Sequence, residues 1–405
     1  MIVDRNFVIL QVDMKKCSMF KVKSLILLLF CCCFVAGRAQ DSLCIKLDSL
    51  LRHPMFETSQ VGLMVYDLTA DSTLYQYQAR QLLRPASTMK LLTAITALDC
   101  LGGDYLFSTR LHYTGEIVDS MLVGNVYCVG GFDPMVSDGD VNAMAANLRS
   151  LGVNSLQGYV IADLTMKDGL EYGEGWCWDD DNPTLTPLSV GRKDVFVERL
   201  LREMVYNGIM LNDVQTGDGR CPARAKLICQ CHHSIDEILD RMMKKSDNFY
   251  AEALFYQIAA SQGKLNAKAG DAREVVKRLI RKIGLDDGNY RIADGSGLSL
   301  YNYVTAELET MLLRYAWHKK EIRDHLLPSL PIAGVDGTLE KRMRKTPACG
   351  NVRAKTGTVT GISSLAGYCT AANGHDLAFC IINQGVLRGQ LGRNFQDRVC
   401  AVLCE

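Results

Sequence analysis

The chain has 405 residues, enough for one large core or two to three smaller ones. Its 48% hydrophobic and 22% charged residues are ordinary for a folded globular protein. Forty-five basic side chains balance forty-five acidic ones, so no global field favours nucleic acid or an anionic membrane surface.

At the N-terminus, Lys21 and Lys23 precede an apolar run from Leu25 to Val35, and Ala36-Gly37-Arg38-Ala39 follows. A basic stretch, a short apolar stretch and small residues at a cleavage point describe a secretory signal. The run is roughly eleven residues, whereas a spanning helix needs about twenty. We therefore expect a cleaved signal over residues 1–39, cut near Ala39 or Gln40, and an exported, periplasmic protein whose contact with membrane is peripheral at most. Met19 begins a compact signal by itself, which makes residues 1–18 a candidate upstream start. Twelve of the sixteen cysteines lie beyond this segment, and export places them where disulfides persist. The run Cys229-Gln230-Cys231-His232-His233 invites a metal, but no second ligand cluster stands at a sensible spacing, so we expect buried thiols or a disulfide partner and no metal.

Ser42 to Arg52 carries a helical apolar pattern. Strand-like runs from Val61 to Tyr66 and Thr73 to Tyr77 follow, split by the turn-forming Thr69-Ala70-Asp71-Ser72. Pro85-Ala86-Ser87 opens an apolar helix from about Thr88 to Leu101, stopped by Gly102-Gly103. From Asp104 to Pro187 the texture is short alternating strands, such as Met121 to Val129, with one helix near Val141 to Leu151. Long helical patterns return at Val195 to Tyr206, Ile235 to Lys244, Phe249 to Gln262, Ala272 to Ile283 and Thr305 to His318. The end reads as strands Val352 to Gly357, Ile362 to Thr370 and Leu377 to Asn383, then a helix from Leu391. These predict an α+β catalytic domain in two parts, 40–103 and 188–405, interrupted by a small β-rich insert at 104–187.

Three short motifs stand in order: Ser87-Thr88-Met89-Lys90, Ser246-Asp247-Asn248 and Lys355-Thr356-Gly357. Singly each has a plainer reading: a helix cap and a surface lysine, an N-cap, an edge hairpin. Ser18-Met19-Phe20-Lys21 matches the first pattern at a useless place, so chance hits are cheap; order and context carry the signal. The same trio marks class A β-lactamases and penicillin-binding proteins.

The chemistry fits. A serine hydroxyl is a poor nucleophile until a base takes its proton. Lys90 lies three residues on, on the same helix face as Ser87. It serves as base only if its pKa is lowered, by burial in its apolar helix or by a cation such as Lys355. The hydroxyl of Ser246 is a candidate proton relay between Lys90 and the leaving amine, and Asn248 a candidate holder of a substrate amide. Lys355 with the Thr356 and Thr358 hydroxyls makes a carboxylate receptor. Gly357 permits close backbone approach, and the Thr358 N–H can complete an oxyanion hole with that of Ser87.

The segment Pro85-Ala86-Ser87-Thr88-Met89-Lys90-Leu91-Leu92-Thr93-Ala94 resembles the active site of the D-alanyl-D-alanine carboxypeptidase/endopeptidases, the class C low-molecular-mass penicillin-binding proteins. Also similar are Gly130-Gly131-Phe132-Asp133-Pro134, Gly175-Trp176-Cys177-Trp178-Asp179-Asp180, Ser246 to Glu252, Asp294-Gly295-Ser296-Gly297-Leu298 and Ala354 to Thr358. The resemblance implies a penicillin-recognising serine transpeptidase/β-lactamase-like domain, an antiparallel sheet flanked by helices. It implies acylation of Ser87 by the penultimate D-alanine carbonyl of peptidoglycan stem peptides or cross-links, then hydrolysis, with Lys90 as base, Ser246 as shuttle and Lys355 as carboxylate anchor. β-Lactams become covalent inhibitors, and no cofactor is needed. One departure stands out. The family's further inserted domain, which follows the segment matching Thr186-Pro187-Leu188-Ser189, is missing: Arg192-Lys193-Asp194 runs almost directly into the next helix. The competing readings are a β-lactamase or esterase of the same fold, and a non-catalytic wall-binding protein.

Overall fold

The computed structural model describes residues 42–180 and 182–405; the expected signal lies outside them. Residues 42–51 form helix α1, within an N-terminal unit that ends at His53. The unit from Pro54 to Glu405 contains two five-stranded sheets. Among the described residues no helix is long and apolar enough to cross a membrane.

The first sheet joins the two ends of this unit. Strands β1 (Gln60–Asp67) and β2 (Ser72–Tyr77) pair with each other near its start. The C-terminal meander β8 (Arg353–Val359), β9 (Ile362–Thr370) and β10 (Asp376–Gln384) docks beside β1, giving the all-antiparallel order β2-β1-β10-β9-β8. Seven of the eight β1 residues are buried, because the sheet is covered on both faces. Ser363 and Asn383 bond Gln396 of the C-terminal helix α10 (Gly389–Leu403). The opposite pleat positions Tyr368 and Cys380 meet Leu313 and Glu309 of α8 (Ala306–His318).

Behind α8 lie two helices that are apolar all round, and therefore buried. In α2 (Met89–Leu101) every residue from Met89 to Leu98 is buried, and in α6 (Asn248–Ala260) every residue from Phe249 to Ala259. Helices α5 (Ile235–Lys244), α7 (Ala269–Lys282) and α9 (Lys320–Ser329) are amphipathic and enclose them. The short α9, with Pro328 in its last turn, was not anticipated from sequence.

The second sheet has the order β6-β5-β4-β3-β7. Strands β3 (Leu106–Val118) and β4 (Met121–Val129) form a hairpin. Its two-residue turn puts Asp119 and Ser120 at φ +47° and +65°, the left-handed pair a type I′ turn requires. Parallel strands β5 (Ser155–Asp163) and β6 (Met210–Asp218) follow, with α3 (Asp138–Ser150) and α4 (Phe196–Tyr206) as the connecting helices. β7 (Lys226–Ser234) returns beside β3. Val126, Val141, Leu148, Val160, Leu200 and Met204 fill a separate core there.

This sheet runs past residue 187, where sequence reading closed the insert. The helix at 196–206 belongs to it, not to the catalytic helices, and β6 and β7 were missed. Both are edge strands without a buried residue, β6 mostly exposed and β7 at most half-buried, so neither shows the clean apolar alternation that signals a strand. Ser234 ends β7 and also caps α5 in a reciprocal box with Glu237, which returns the chain to the helical core.

Candidate active site

Ser87 sits in a tight turn, Ala86–Thr88, that leads directly into α2. Ala86 is held at φ +49°, a left-handed conformation costing a non-glycine residue about 1 kcal/mol. Neighbours from two elements clamp it. Thr88 Oγ1 donates to Glu309 Oε1 at 2.8 Å, and Ser364 Oγ of β9 donates to Pro85 O at 2.5 Å. Burial raises the Glu309 carboxyl to about 7.

Lys90, the second residue of α2 and three residues on from Ser87, is fully buried. Its Nζ lies 3.0 Å from Ser87 Oγ, 2.7 Å from Asn248 Oδ1 and 2.8 Å from Ser296 O, and among the described residues no carboxylate is paired to it. Burial lowers its pKa to about 8, against the opposing charges of Asp294, Glu252 and Asp247. Lys355 on β8 is equally buried. Its Nζ donates to Ser246 Oγ at 2.8 Å and to Thr356 O at 2.7 Å. Burial, and after it the charge of Lys90, holds Lys355 well below the ordinary lysine range.

The middle motif is divided between the two amines. Sequence reading set Ser246 against Lys90; the structure places Ser246 on Lys355 and gives Asn248 to Lys90. Asp247 is the actual N-cap of α6, accepting from Phe249 N, and Arg192 and Arg241 each donate to its Oδ2 at 3.1 Å. Ser246 takes the left-handed conformation at φ +58° just before this cap. A cavity of 450 Å³ opens here, lined by Ser246, Asn248, Asn182, Arg192, Arg241 and Lys245. A larger one, 540 Å³, lies between the second sheet and α6, away from all three motifs.

Strand β8 passes hard against the Ser87 turn. A β-carbon added at Gly357 would fall 2.0 Å from Ser364 Oγ, 2.7 Å from Pro85 O and 3.0 Å from Ser87 N, so only glycine permits this approach. Alternation puts Lys355 and Gly357 on one side of β8 and Thr356 and Thr358 on the other. Thr356 Oγ1 donates to Thr338 Oγ1, and Thr358 is exposed.

Several supporting residues received no role from sequence. Asp294 accepts from Gly297 N, Ser299 N, Asn302 Nδ2 and Trp176 Nε1, folding the loop that presents Ser296 O to Lys90. Glu252, buried in α6, accepts from Gly295 N and Ser296 N of the same loop. Burial, then Asp294, pushes its carboxyl up to about 8. A lone acid in the apolar run Phe249-Tyr250-Ala251-Glu252-Ala253-Leu254 was the available signal.

Known proteins resemble this chain in sequence and in fold. A family model described as the D-Ala-D-Ala carboxypeptidase 3 (S13) family matches residues 43–191 and 188–404. The two matches overlap at residues 188–191. D-alanyl-D-alanine carboxypeptidase DacB of Haemophilus influenzae is 26% identical, covering 83% of this chain and 87% of that protein. A D-alanyl-D-alanine carboxypeptidase of Actinomadura sp. is 29% identical over 89% and 84%. The crystal structure of Haemophilus influenzae penicillin binding protein 4 superposes with a TM-score of 0.80 at 24% identity, over 88% of this chain and 97% of that one. Its complex with a β-lactam gives 0.74 at 25% identity, over 87% and 97%.

Proposed function

We propose that this chain, which belongs to the D-Ala-D-Ala carboxypeptidase 3 (S13) family, hydrolyses D-alanyl-D-alanine ends and cross-links of peptidoglycan through an acyl-enzyme on Ser87. The hydrogen bonding of Lys90 carries the assignment of roles. A neutral lysine amine has two N–H donors and one lone pair. Asn248 Oδ1 and Ser296 O are both acceptors, so they consume the two donors. The lone pair then faces the third neighbour, Ser87 Oγ at 3.0 Å, and takes its proton as the oxygen attacks the penultimate D-alanine carbonyl.

The Thr356 and Thr358 hydroxyls receive the terminal carboxylate of the substrate on their side of β8, and Lys355, buried on the other side of the strand, supplies the positive charge that favours it there. An anion there favours the ammonium form of Lys355, and that charge in turn favours the neutral form of Lys90. Substrate binding thus arms the base. The N–H groups of Ser87 and Thr358 hold the developing oxyanion; the close approach of β8, where a β-carbon at Gly357 would fall 3.0 Å from Ser87 N, supports this pairing. Ser246 passes its proton to the leaving D-alanine amine as it takes one from Lys355. The proton that Lys90 took from Ser87 replaces the one Lys355 gave, so that Lys90 is neutral again for hydrolysis. Water then attacks the acyl-enzyme, with Lys90 again as base, and frees Ser87. β-Lactams, whose carboxylate and strained amide imitate the substrate, acylate Ser87 and stay. The signal-like segment at 1–39 supports export to the periplasm, where this substrate lies.

Fluorescent penicillin incubated with the purified protein and with Ser87→Ala tests this. We expect a long-lived covalent band in the wild type and none in the variant, with release of D-alanine from muropeptides by the wild type alone. Absence of a band in folded wild-type protein would overturn the catalytic reading. A band that decays within seconds would mark a β-lactamase.

A further inference from the structure

Cys229, Cys231 and His233 alternate along β7 and so share one face of the strand. The second ligand group that the sequence lacked nearby comes from a hundred residues upstream. Asp133, in the segment that follows β4, is fully buried, and its Oδ2 lies 2.7 Å from His233 Nδ1. With the Cys231 thiol these make a trio whose donor atoms all fall within 4.8 Å of one another. Asp140, in the first turn of α3, bonds the same thiol.

We propose that Asp133, Cys231 and His233 bind a divalent transition-metal ion of the zinc type, with Asp140 or a water as fourth ligand. The donor set decides the class of ion. Thiolate, imidazole and carboxylate together suit zinc, whereas magnesium and calcium take oxygen alone. A tetrahedral zinc with bonds of about 2.0–2.3 Å sets its donors about 3.3–3.7 Å apart. The Asp133–His233 contact must therefore open slightly and the thiol move in by roughly 1 Å, within the reach of side-chain rotation. Burial and the carboxylates of Asp140 and Asp133 disfavour the Cys231 thiolate; a divalent cation at their centre reverses that field. His233 is 16% exposed, which leaves a way in from solvent.

The ion would be structural. It ties the β4–α3 segment to β7 at the point where Phe132 packs on Phe249 and Tyr256 of α6, ring centroids 5.5 and 5.9 Å apart, and where Gln257 donates to Gly131 O. Helix α6 starts at Asn248, the partner of Lys90.

The test is titration of chelator-treated protein with zinc chloride by calorimetry in a non-thiol reductant, alongside cobalt(II) absorption. We expect one ion per chain at micromolar affinity or tighter and a thiolate-to-cobalt charge-transfer band. Cys231→Ser should lose the band, and both Cys231→Ser and His233→Gln should weaken zinc at least a hundredfold. Cys229→Ser, with circular dichroism as the folding control, should bind as the wild type does. No zinc binding by the wild type, a cobalt spectrum without the thiolate band, or undiminished binding by folded Cys231→Ser would each overturn the proposal. The wild-type spectrum decides even if the variants fail to fold.

Discussion

Acylation of Ser87 at saturating penicillin should accelerate with pH, because the base must be neutral to accept a proton. Burial sets the Lys90 pKa at about 8. On that value the neutral fraction is about 1% at pH 6, 9% at pH 7 and 91% at pH 9, a rise of roughly 90-fold from pH 6 to 9. In the proposed mechanism a bound penicillin carboxylate would hold Lys355 as an ammonium and push Lys90 lower still. A midpoint moved to about 7 leaves a rise of roughly tenfold over the same range. The rate constant should therefore increase between about 10- and 90-fold, with its midpoint at or below about 8. Rapid-mixing time courses with fluorescent penicillin measure it, and circular dichroism at each pH shows that the fold persists. A rate that is flat or falls between pH 6 and 8 would refute Lys90 as the base. A midpoint above about 9 would mean that the carboxylates of Asp294, Glu252 and Asp247 outweigh burial.

Gly357→Ala forces β8 away from the Ser87 turn, since the new carbon lands 2.0 Å from Ser364 Oγ and 2.7 Å from backbone Pro85 O. We expect a loss of about 1–3 kcal/mol in stability and roughly a hundredfold in acylation rate, checked by thermal melts and penicillin labelling. Labelling at the wild-type rate would show that the strand is not held there. Glu309 tests the clamp. Its carboxyl is raised to about 7 from an ordinary 4.5 by burial. The folded state thus keeps a proton that the unfolded chain has lost between those values. Stability from this group falls as pH rises through that window, by on the order of 3 kcal/mol above it. Glu309→Gln, which keeps an acceptor for Thr88, should melt several degrees above the wild type at pH 8 and level with it at pH 4.5. A variant less stable at pH 8 would show that the charge is compensated.

The sequence by itself determined the chemistry and most of the elements. Three motifs, each a few residues long, mark the candidate nucleophile, the candidate base and the candidate anchor. Helical and alternating apolar periods mark α2, α6 and the β8–β10 meander, because burial leaves its imprint on consecutive residues. Where burial is slight the imprint fades, which is why the polar edge strands β6 and β7 went unseen and the insert was closed too early. Pairing across distance was the tertiary structure's to decide. Ser246 stands 109 residues from Lys355, Asn248 stands 158 from Lys90, and Ser296 stands 206 from it. Sequence pattern reports how one element meets its surroundings, not which element lies opposite. Only the fold decided which hydroxyl each lysine meets, and only the fold brought Asp133 to His233. A hydrogen bond or a metal ligand depends on distances of a few tenths of an ångström between atoms far apart in the chain, and no local propensity encodes those.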